Sequence, residues 1–436
     1  MQEKQNTTTL VWFNNNLRVN DNEVLNNALK HHNHVIAVYC FNPQLFEIDR
    51  FGFKKTEQFR AKFLVETVQN LRENLKELHI ELFVYQDKPE HAVPKLVEQF
   101  KIDSIYLQKE WTSEEVKIIN LVKANTQTSV TFHEYYDQFL FHPNDINISF
   151  SDIPPVFTNF RKKVEKYSEV EHTNRPNKAL PLKDITNTTK IPSLNALGFV
   201  DFDVHPNTAF PFSGGESAAL DRLDDYFFKT KKLGFYKKTR NGLVGKDYSS
   251  KFSPWLANGS ISARTIYHQI KEFEKTHYKN QSTYWLIFEL IWRDYFKYTS
   301  LKHGNSIFKI GGILEKDYEW RHDKKLIKKW IDGETRSAFV NANMLELNHT
   351  GWMSNRGRQN VASFFAKELL LDWRIGAAYF ESLLIDYDVH SNYGNWMYVA
   401  GVGNDPRDRK FNVDLQASRY DASGKFQNLW LQKTLF

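Results

Sequence analysis

The sequence predicts an α/β domain followed by an all-helical domain, because glycine, tryptophan and charge are unevenly distributed along its 436 residues. Of the 19 glycines only Gly52 precedes residue 198, and nine of the 11 tryptophans follow residue 250. Residues 1–150 carry 16 Lys and Arg against 20 Asp and Glu, a net charge of −4, whereas the rest carries 42 against 32, a net of +10. We therefore expect domains over residues 7–135 and 206–436, joined by a connector over residues 136–205.

Short runs of β-branched and aromatic residues alternate with amphipathic helical patterns in the first domain. The clearest helix is predicted over Thr56–Leu78, where Phe59, Phe63 and Leu71 recur at helical spacing. Such alternation implies right-handed crossovers and a parallel, Rossmann-like sheet of five strands. The predicted strands are Leu10–Phe13, Val35–Phe41, Ile80–Tyr85, Ile102–Leu107 and Val130–His133.

No glycine-rich phosphate loop follows the first predicted strand. The strand runs directly into Asn14, Asn15 and Asn16, so neither a GxGxxG fingerprint nor a P-loop is present there. A doubly wound sheet can still bind a ligand at its switch point, but not with that device.

Six prolines between residues 143 and 192 forbid a continuous helix in the connector, where only Phe157–Tyr167 has a helical pattern. Helical patterns dominate from Gly214 onward, without convincing strands. The predicted helices of the second domain include Glu216–Lys229, Ser262–Lys275, Tyr284–Leu301, Arg358–Leu370 and Trp373–Leu384.

Composition narrows the class of protein further. The single cysteine, Cys40, excludes an intramolecular disulfide framework and any cysteine-clustered metal site. No apolar run approaches the roughly 18–20 residues of a membrane span, and residues 1–10 are too polar for a signal peptide. We expect a soluble, cytoplasmic protein, and nothing in the sequence demands more than a monomer. The basic second domain suits a polyanionic partner such as nucleic acid, although a solvated lysine-rich surface explains the same charge.

Glu289 and Arg293 lie four positions apart on a helix rich in tryptophan and aliphatic residues. Residues at this spacing are neighbours on one helix face, so an ordinary ion pair is the simplest interpretation. The apolar surroundings favour a second interpretation, in which Glu289 is partly desolvated and its carboxylate requires a partner, a ligand or a proton.

Three further stretches carry polar groups suited to ligands. Residues 351–359 place two arginines and an asparagine before a helix. These side chains could bind a phosphate or the edge of a heterocycle, or they could form a polar loop that caps the helix. Residues 386–396 begin with two carboxylates, which too few hard ligands surround to require a metal. Residues 248–255 offer three serine hydroxyls and a lysine, a phosphate cradle or a helix cap.

Taken together, these stretches resemble the cryptochrome/photolyase flavoproteins, and within them the cryptochrome DASH branch. The resemblance covers nearly the whole chain and is most specific in DYSSKFSPWLANGSIS, FELIWRDYF, GWMSNRGRQ and DYDVHSNYGNW. It implies an N-terminal α/β domain, a connector and a helical domain that binds FAD in a folded-over conformation.

The resemblance also implies residue roles around FAD. The positions that match those holding the pyrophosphate are Tyr236, Ser249, Ser250, Lys251, Phe252 and Ser253. Arg358, Asp386 and Asp388 match positions near the isoalloxazine and ribose, and Asn392 matches the position facing flavin N5. An asparagine there, rather than an acid, disfavours rapid protonation. Arg293 is also assigned to the residues that bind FAD.

Trp396, Trp373 and Trp320 match the tryptophan relay through which the photoexcited flavin is reduced in this family. Core packing is the ordinary role of any single buried tryptophan. On the substrate side, the positions that match the lesion pocket are Glu289, Trp292, Asn355, Arg356 and Gln359. Gln359 and Tyr398 replace a methionine and a tryptophan of other photolyases, as is typical of the DASH branch.

We therefore expect blue-light repair of cyclobutane pyrimidine dimers by FAD-driven electron transfer, preferentially in single-stranded DNA, where extruding a base costs little. A methenyltetrahydrofolate antenna is implied between the domains, with Glu165 or Glu110 holding the pterin, although solvated acids explain both residues equally well. A blue-light photoreceptor or regulator with little repair activity is the alternative. A flavin-free, basic nucleic-acid-binding module is a third interpretation.

Overall fold

The computed structural model describes residues 5–182, 185–405 and 407–432. A five-stranded parallel sheet forms the N-terminal half, in the order β3-β2-β1-β4-β5. The strands are β1 Gln5–Trp12, β2 His32–Cys40, β3 Leu82–Tyr85, β4 Ser104–Gln108 and β5 Thr131–Tyr135. Val11 in the central strand pairs with Ala37 on one side and with Tyr106 on the other. The predicted sheet is therefore confirmed.

Helices cover both faces of this sheet. They are α1 Glu23–His31, α2 Gln58–Glu77, α3 Pro89–Phe100 and α4 Ser113–Asn125. Asn22 starts α1, where its side-chain oxygen accepts a hydrogen bond from the Leu25 amide at 2.9 Å. The stripe of α2 that contains Phe63, Val68 and Leu71 is buried, as its periodicity predicts.

The connector contains the helix α5 Phe157–Tyr167, with the bounds that the sequence predicts. Its extended remainder is tied to the α/β half by backbone hydrogen bonds, among them Ala179 N to Leu78 O and Leu180 N to Asn33 O, both 3.0 Å. The part of the connector around residues 179–180 therefore lies along the α/β half, whereas Phe157 of α5 packs on the helical half.

The C-terminal half is helical. Its helices are α6 Glu216–Asp224, α7 Tyr236–Thr239, α8 Ser253–Ala257, α9 Ala263–Thr276, α10 Gln281–His303, α11 Lys324–Ile331, α12 Ala338–Thr350, α13 Asn355–Ser363, α14 Trp373–Leu383, α15 Val389–Ala400, α16 Val413–Tyr420 and α17 Lys425–Leu431. None of the helices in the described ranges is long and apolar enough to cross a membrane.

Two predicted helices change geometry partway along. α6 continues as a π-turn over Asp225–Lys229, and α13 continues as one over Phe364–Glu368. α13 also begins three residues earlier than predicted, because the Ser354 hydroxyl accepts a hydrogen bond from the Gly357 amide at 2.9 Å. The second π-turn continues the buried segment of α13 and places Phe364 and Phe365 in the core.

Buried polar contacts join the two halves. Arg264 of α9 contacts Asp21 of the α/β half at 3.0 Å, and both side chains are at most 5% exposed. Arg18, which pairs with Asp137 of the connector at 2.8 Å, also donates to the Gly259 carbonyl of the helical half at 3.1 Å. These contacts fix the α/β half against the helical half.

Candidate cofactor and DNA site

The serine-rich loop at 248–253 is held from behind by Arg222 of α6. This buried guanidinium donates to the carbonyl oxygens of Ser250 at 3.2 Å, Ser249 at 3.2 Å and Lys246 at 3.3 Å. Among the described residues, the hydroxyls of Ser249, Ser250 and Ser253 have no hydrogen-bond partner. The loop therefore turns its carbonyl oxygens inward and leaves three hydroxyls free for an anion.

Lys251 turns its ammonium group into the protein. Its backbone is left-handed, with φ +67°, and Nζ lies 3.2 Å from the centroid of the Tyr248 ring and 4.5 Å from that of Trp352. Burial lowers the pKa of Lys251 and raises the pKa of nearby Glu346 to about 8. Nζ has no hydrogen-bond partner in the described part of the chain. Lys251 therefore shapes the loop through its backbone and its aromatic contacts.

Two acidic residues beside α15 are each fixed by a cation. Arg358 Nη2 donates to both carboxylate oxygens of Asp386 at 2.9 Å. Asp388 accepts from Lys297 Nζ at 2.9 Å and caps α15 by accepting from the Ser391 amide at 2.8 Å. One turn further on, buried Asn392 donates from Nδ2 to the Ala377 carbonyl at 3.0 Å. The sequence-predicted flavin residues thus meet where α13, α14 and α15 converge.

Glu289 and Arg293 do not form the helical ion pair that the simpler of the two interpretations implied. Arg293 donates to two backbone carbonyl oxygens instead, those of Gln138 at 2.6 Å and Leu256 at 2.9 Å. Glu289 pairs with Arg240, whose Nη2 lies 2.8 Å from Oε1. Burial raises the pKa of Glu289, although Arg240 opposes the shift. The second interpretation, a partly desolvated carboxylate that needs a partner, describes this residue correctly.

Arg356 is oriented by three neighbours. It donates to Gln359 Oε1 at 2.9 Å and to Asn241 Oδ1 at 3.0 Å, and its guanidinium lies 4.4 Å from the centroid of the Tyr420 ring. Asn241 directly follows Arg240, so the end of α7 joins Glu289 of α10 to Arg356 of α13.

The two other predicted lesion residues border this group in the chain. Asn355 is the exposed first residue of α13. Trp292 follows Glu289 by one turn of α10 and stacks on Phe157, with ring centroids 3.7 Å apart. One face of its ring is therefore covered by the connector helix.

The three predicted relay tryptophans lie on connected elements. Trp396 of α15 packs closely on Gly376 of α14, because a Cβ at Gly376 would lie 2.2 Å from the Trp396 ring. Trp373 lies one turn before Gly376 on the same helix. Trp320 is linked to α14 through its neighbour Arg321, whose backbone amide donates to the Leu370 carbonyl at 2.6 Å. Leu370 lies two residues before Asp372, the residue that caps α14. Trp373 and Trp396 are buried, and Trp320 is half-buried.

A cavity of about 570 Å³ lies between the halves and is lined by residues of both. Glu110 lines it, and Glu165 does not. Glu165 is exposed on α5, where its carboxylate accepts from the Tyr284 hydroxyl at 2.7 Å. Of the two candidate pterin-holding acids, only Glu110 therefore lines this cavity.

Buried polar groups without partners surround this cavity. In the described part of the chain, Trp12 Nε1, Asn42 Nδ2, Gln108 Oε1 and Gln138 Oε1 lack a hydrogen bond, and all four residues line it. Gln108 Nε2 donates to Glu110 Oε1 at 2.7 Å. Burial, reinforced by the nearby charge of Glu115, raises the pKa of Glu110 to about 8. Unpartnered donors and acceptors of this kind suit a polar ligand.

Sequence reasoning missed several residues of these sites. Arg222, Arg240 and Asn241 are polar residues of helical patterns, and no spacing rule pairs them with positions 28 to 115 residues away. His390 was also missed: its Nδ1 lies 2.7 Å from Ser300 Oγ, which accepts from Trp111 Nε1 at 2.8 Å. Within the described ranges, no group of three or more His, Cys, Asp or Glu residues could hold a metal ion.

Comparisons with known proteins cover both halves. A family model described as DNA photolyase matches residues 9–181, and one described as the FAD binding domain of DNA photolyase matches residues 285–434. A cryptochrome DASH of Synechocystis sp. is 46% identical over 97% of this chain and 87% of that protein. One of Xenopus laevis is 47% identical over 96% of this chain and 81% of that protein.

Solved structures show the same likeness. The crystal structure of a Synechocystis sp. cryptochrome matches with a TM-score of 0.94 at 44% identity, over 99% of this chain and 89% of that one. A class III photolyase from Agrobacterium tumefaciens matches with a TM-score of 0.81 at 25% identity, over 99% and 87% of the two chains.

The parallel α/β domain matches the DNA photolyase model and the helical domain matches its FAD-binding model, so the fold is that of the photolyase class of flavoproteins. The chain belongs to the cryptochrome/photolyase family, in its cryptochrome DASH branch. The resemblance recognised in the sequence, the fold and FAD as the cofactor are therefore confirmed.

Proposed function

We propose that this protein repairs cyclobutane pyrimidine dimers in DNA, preferentially in single strands, by light-driven electron transfer from reduced FAD. The observation that carries the proposal is the grouping of Glu289, Arg356 and Gln359 through Arg240 and Asn241. A carboxylate, a fork-shaped donor and an amide at one place match the polar edges of an extruded dimer.

The residues present fit FAD. Three serine hydroxyls that have no partner among the described residues can donate hydrogen bonds to the pyrophosphate, while Arg222 binds the carbonyl oxygens of their loop. Arg358, Asp386 and Asp388 would hold the ring and ribose end, and Asn392 would face N5. FAD supplies blue-light absorption and electron transfer when it is bound. The amide of Asn392 has no acidic proton to give, so this chain limits protonation at that atom.

The DNA side depends on stacking and charge. Trp292, fixed on Phe157, would stack on the dimer, while Glu289 and Arg356 would bind its polar edges. The net charge of +10 after residue 150 favours the DNA backbone. Single-stranded DNA is preferred in this proposal because its bases are already unpaired.

The proposal is tested by measuring how fast the reduced protein repairs a dimer under blue light, with the same dimer placed in single-stranded and in double-stranded DNA. Glu289→Gln should weaken binding of the dimer by roughly tenfold to a hundredfold, the range for hydrogen bonds to charged groups. Gln359→Met should also change the repair rate. Glu272→Gln, an exposed acid of α9, is the matched control and should behave as the wild type. Unchanged repair in both pocket variants would disprove the pocket, and no repair by the wild type would favour a photoreceptor.

We also propose that the cavity between the halves binds a methenyltetrahydrofolate antenna through Glu110. The pterin edge offers paired N–H donors, which suit an ionised carboxylate. Since the pKa of Glu110 is about 8, binding releases a proton below that pH, and affinity should rise by up to about tenfold per pH unit as pH increases toward 8.

Titration of the FAD-containing protein with methenyltetrahydrofolate, followed by near-UV absorbance between about pH 6 and pH 8, measures this dependence. Glu110→Gln should bind weakly and show a flat pH profile. Glu165→Gln should retain the wild-type profile, because Glu165 lies outside the cavity. A wild-type affinity independent of pH would contradict the role given to Glu110.

A further inference from the structure

We propose that Tyr318 is the terminal electron donor of the tryptophan relay and that it passes its proton to Asp408 as it is oxidised. The inference rests on the proposed function, since it needs Trp320, Trp373 and Trp396 to act as a relay. It extends that relay by one residue of a different chemical kind.

Tyr318 is the aromatic neighbour of Trp320 at the outer end of the relay. The centroids of the two rings are 5.7 Å apart, and the rings meet edge to face at 79°. Both rings are half-buried and pack against the same hydrophobic core as Trp373 and Trp396. The contact between donor and acceptor rings is therefore direct.

The Tyr318 hydroxyl has a proton acceptor, whereas the described part of the chain provides none for the Trp320 indole. The hydroxyl donates to Asp408 Oδ2 at 2.9 Å. Trp320 Nε1 is buried without a hydrogen-bond partner in the described part of the chain. An oxidised Trp320 therefore keeps its proton and remains a cation, whereas Tyr318 can lose an electron and a proton together.

The surroundings of Asp408 keep its carboxylate ionised, so it can accept a proton. Partial burial opposes its ionisation, but hydrogen bonds from Lys367 and Tyr318 and the charge of Lys316 outweigh burial and lower the pKa of Asp408. Gly401, at φ +81°, makes room for this carboxylate, because a Cβ there would lie 1.9 Å from Asp408 Oδ1. Lys316 Nζ donates to the Tyr318 oxygen at 3.3 Å and to the Gly401 carbonyl at 2.9 Å, so the phenol is held in place.

The step balances within the protein. The oxidised Trp320, formed when the photoexcited flavin takes an electron through the relay, gains one electron from Tyr318. The O–H bond of Tyr318 breaks, and its proton moves to Asp408 Oδ2. Trp320 and Asp408 end neutral, and Tyr318 ends as a neutral radical. The summed charge of the three groups does not change, so the step needs no compensating ion.

Electron paramagnetic resonance after blue light, on oxidised FAD-containing protein without added reductant, tests the proposal. We expect a tyrosyl radical whose spectrum narrows when the protein contains ring-deuterated tyrosine. The signal should disappear in Tyr318→Phe and in Trp320→Phe. Asp408→Asn removes the acceptor, so the tyrosyl signal should fall and a tryptophan radical should take its place.

Tyr393→Phe is the matched control, because Tyr393 is not one of the relay residues and meets Trp373 edge to face at 6.1 Å, away from the outer end of the relay at Trp320. It should retain the tyrosyl signal. Flavin photoreduction without a tyrosyl radical, or a radical that survives in Tyr318→Phe, would overturn the role of Tyr318 and leave the relay intact. A wild type without flavin photoreduction would overturn both.

Discussion

Lys297→Met should lower the free energy of unfolding by about 3–5 kcal/mol, because it leaves Asp388 as an unpaired charge in the interior. The two side chains are only 4% and 12% exposed, and their charged atoms are 2.9 Å apart. Burial opposes ionisation of Asp388, but Lys297, with His390 and Arg293, outweighs it and holds the pKa well below the usual range. Denaturant unfolding of the FAD-containing protein measures the loss.

A second variant separates the unpaired charge from lost packing. Asp388→Asn added to Lys297→Met removes the orphaned charge and keeps a residue that caps helices well. The double variant should recover much of the stability lost in Lys297→Met. Equal stabilities of the single and double variants would show that the ion pair is not the cause.

Trp373→Phe should stop flavin photoreduction while FAD remains bound, because a phenyl ring cannot be oxidised as an indole can. Trp373 is buried, and phenylalanine keeps an aromatic ring there while removing the indole hydrogen bond to the Ile310 carbonyl at 2.9 Å. Absorbance of the flavin during blue-light exposure with an external reductant gives the rate, and the ratio of flavin to protein absorbance gives the FAD content.

Trp330→Phe is the matched control, since Trp330 is also buried and its ring centroid lies 6.3 Å from that of Trp396. It should retain photoreduction if electrons enter through Trp373. The relay assignment fails if Trp373→Phe photoreduces at the wild-type rate, and a loss confined to Trp330→Phe would redirect the path.

Local patterns predicted the elements of the fold well. The five strands and the helix Phe157–Tyr167 follow from short-range periodicity and propensity, which the folded structure retains. The π-turn after α13 was not predicted, because no local pattern in residues 364–368 distinguishes it from a continued α-helix. The resemblance to photolyases supplied the candidate site residues, since no single stretch was specific enough.

Side-chain partners were the least predictable part. The spacing of Glu289 and Arg293 suggested a helical pair, but the partner of Glu289 comes from Arg240, 49 positions earlier. Likewise, nothing local distinguishes Glu110 from Glu165, and only the folded chain shows that Glu110 alone lines the cavity. Lys251 matched a cofactor position, yet its left-handed backbone turns the ammonium group inward.

The ion pair between Arg264 and Asp21 means that each half loses the partner of a buried charge when the other half is absent. The helical half contributes Arg264, and its buried partner Asp21 comes from the other half. A separated helical fragment would leave that guanidinium beside an apolar surface without this counter-charge. We therefore expect the two halves to unfold cooperatively, because separating them would cost free energy at the same contacts that stabilise each half.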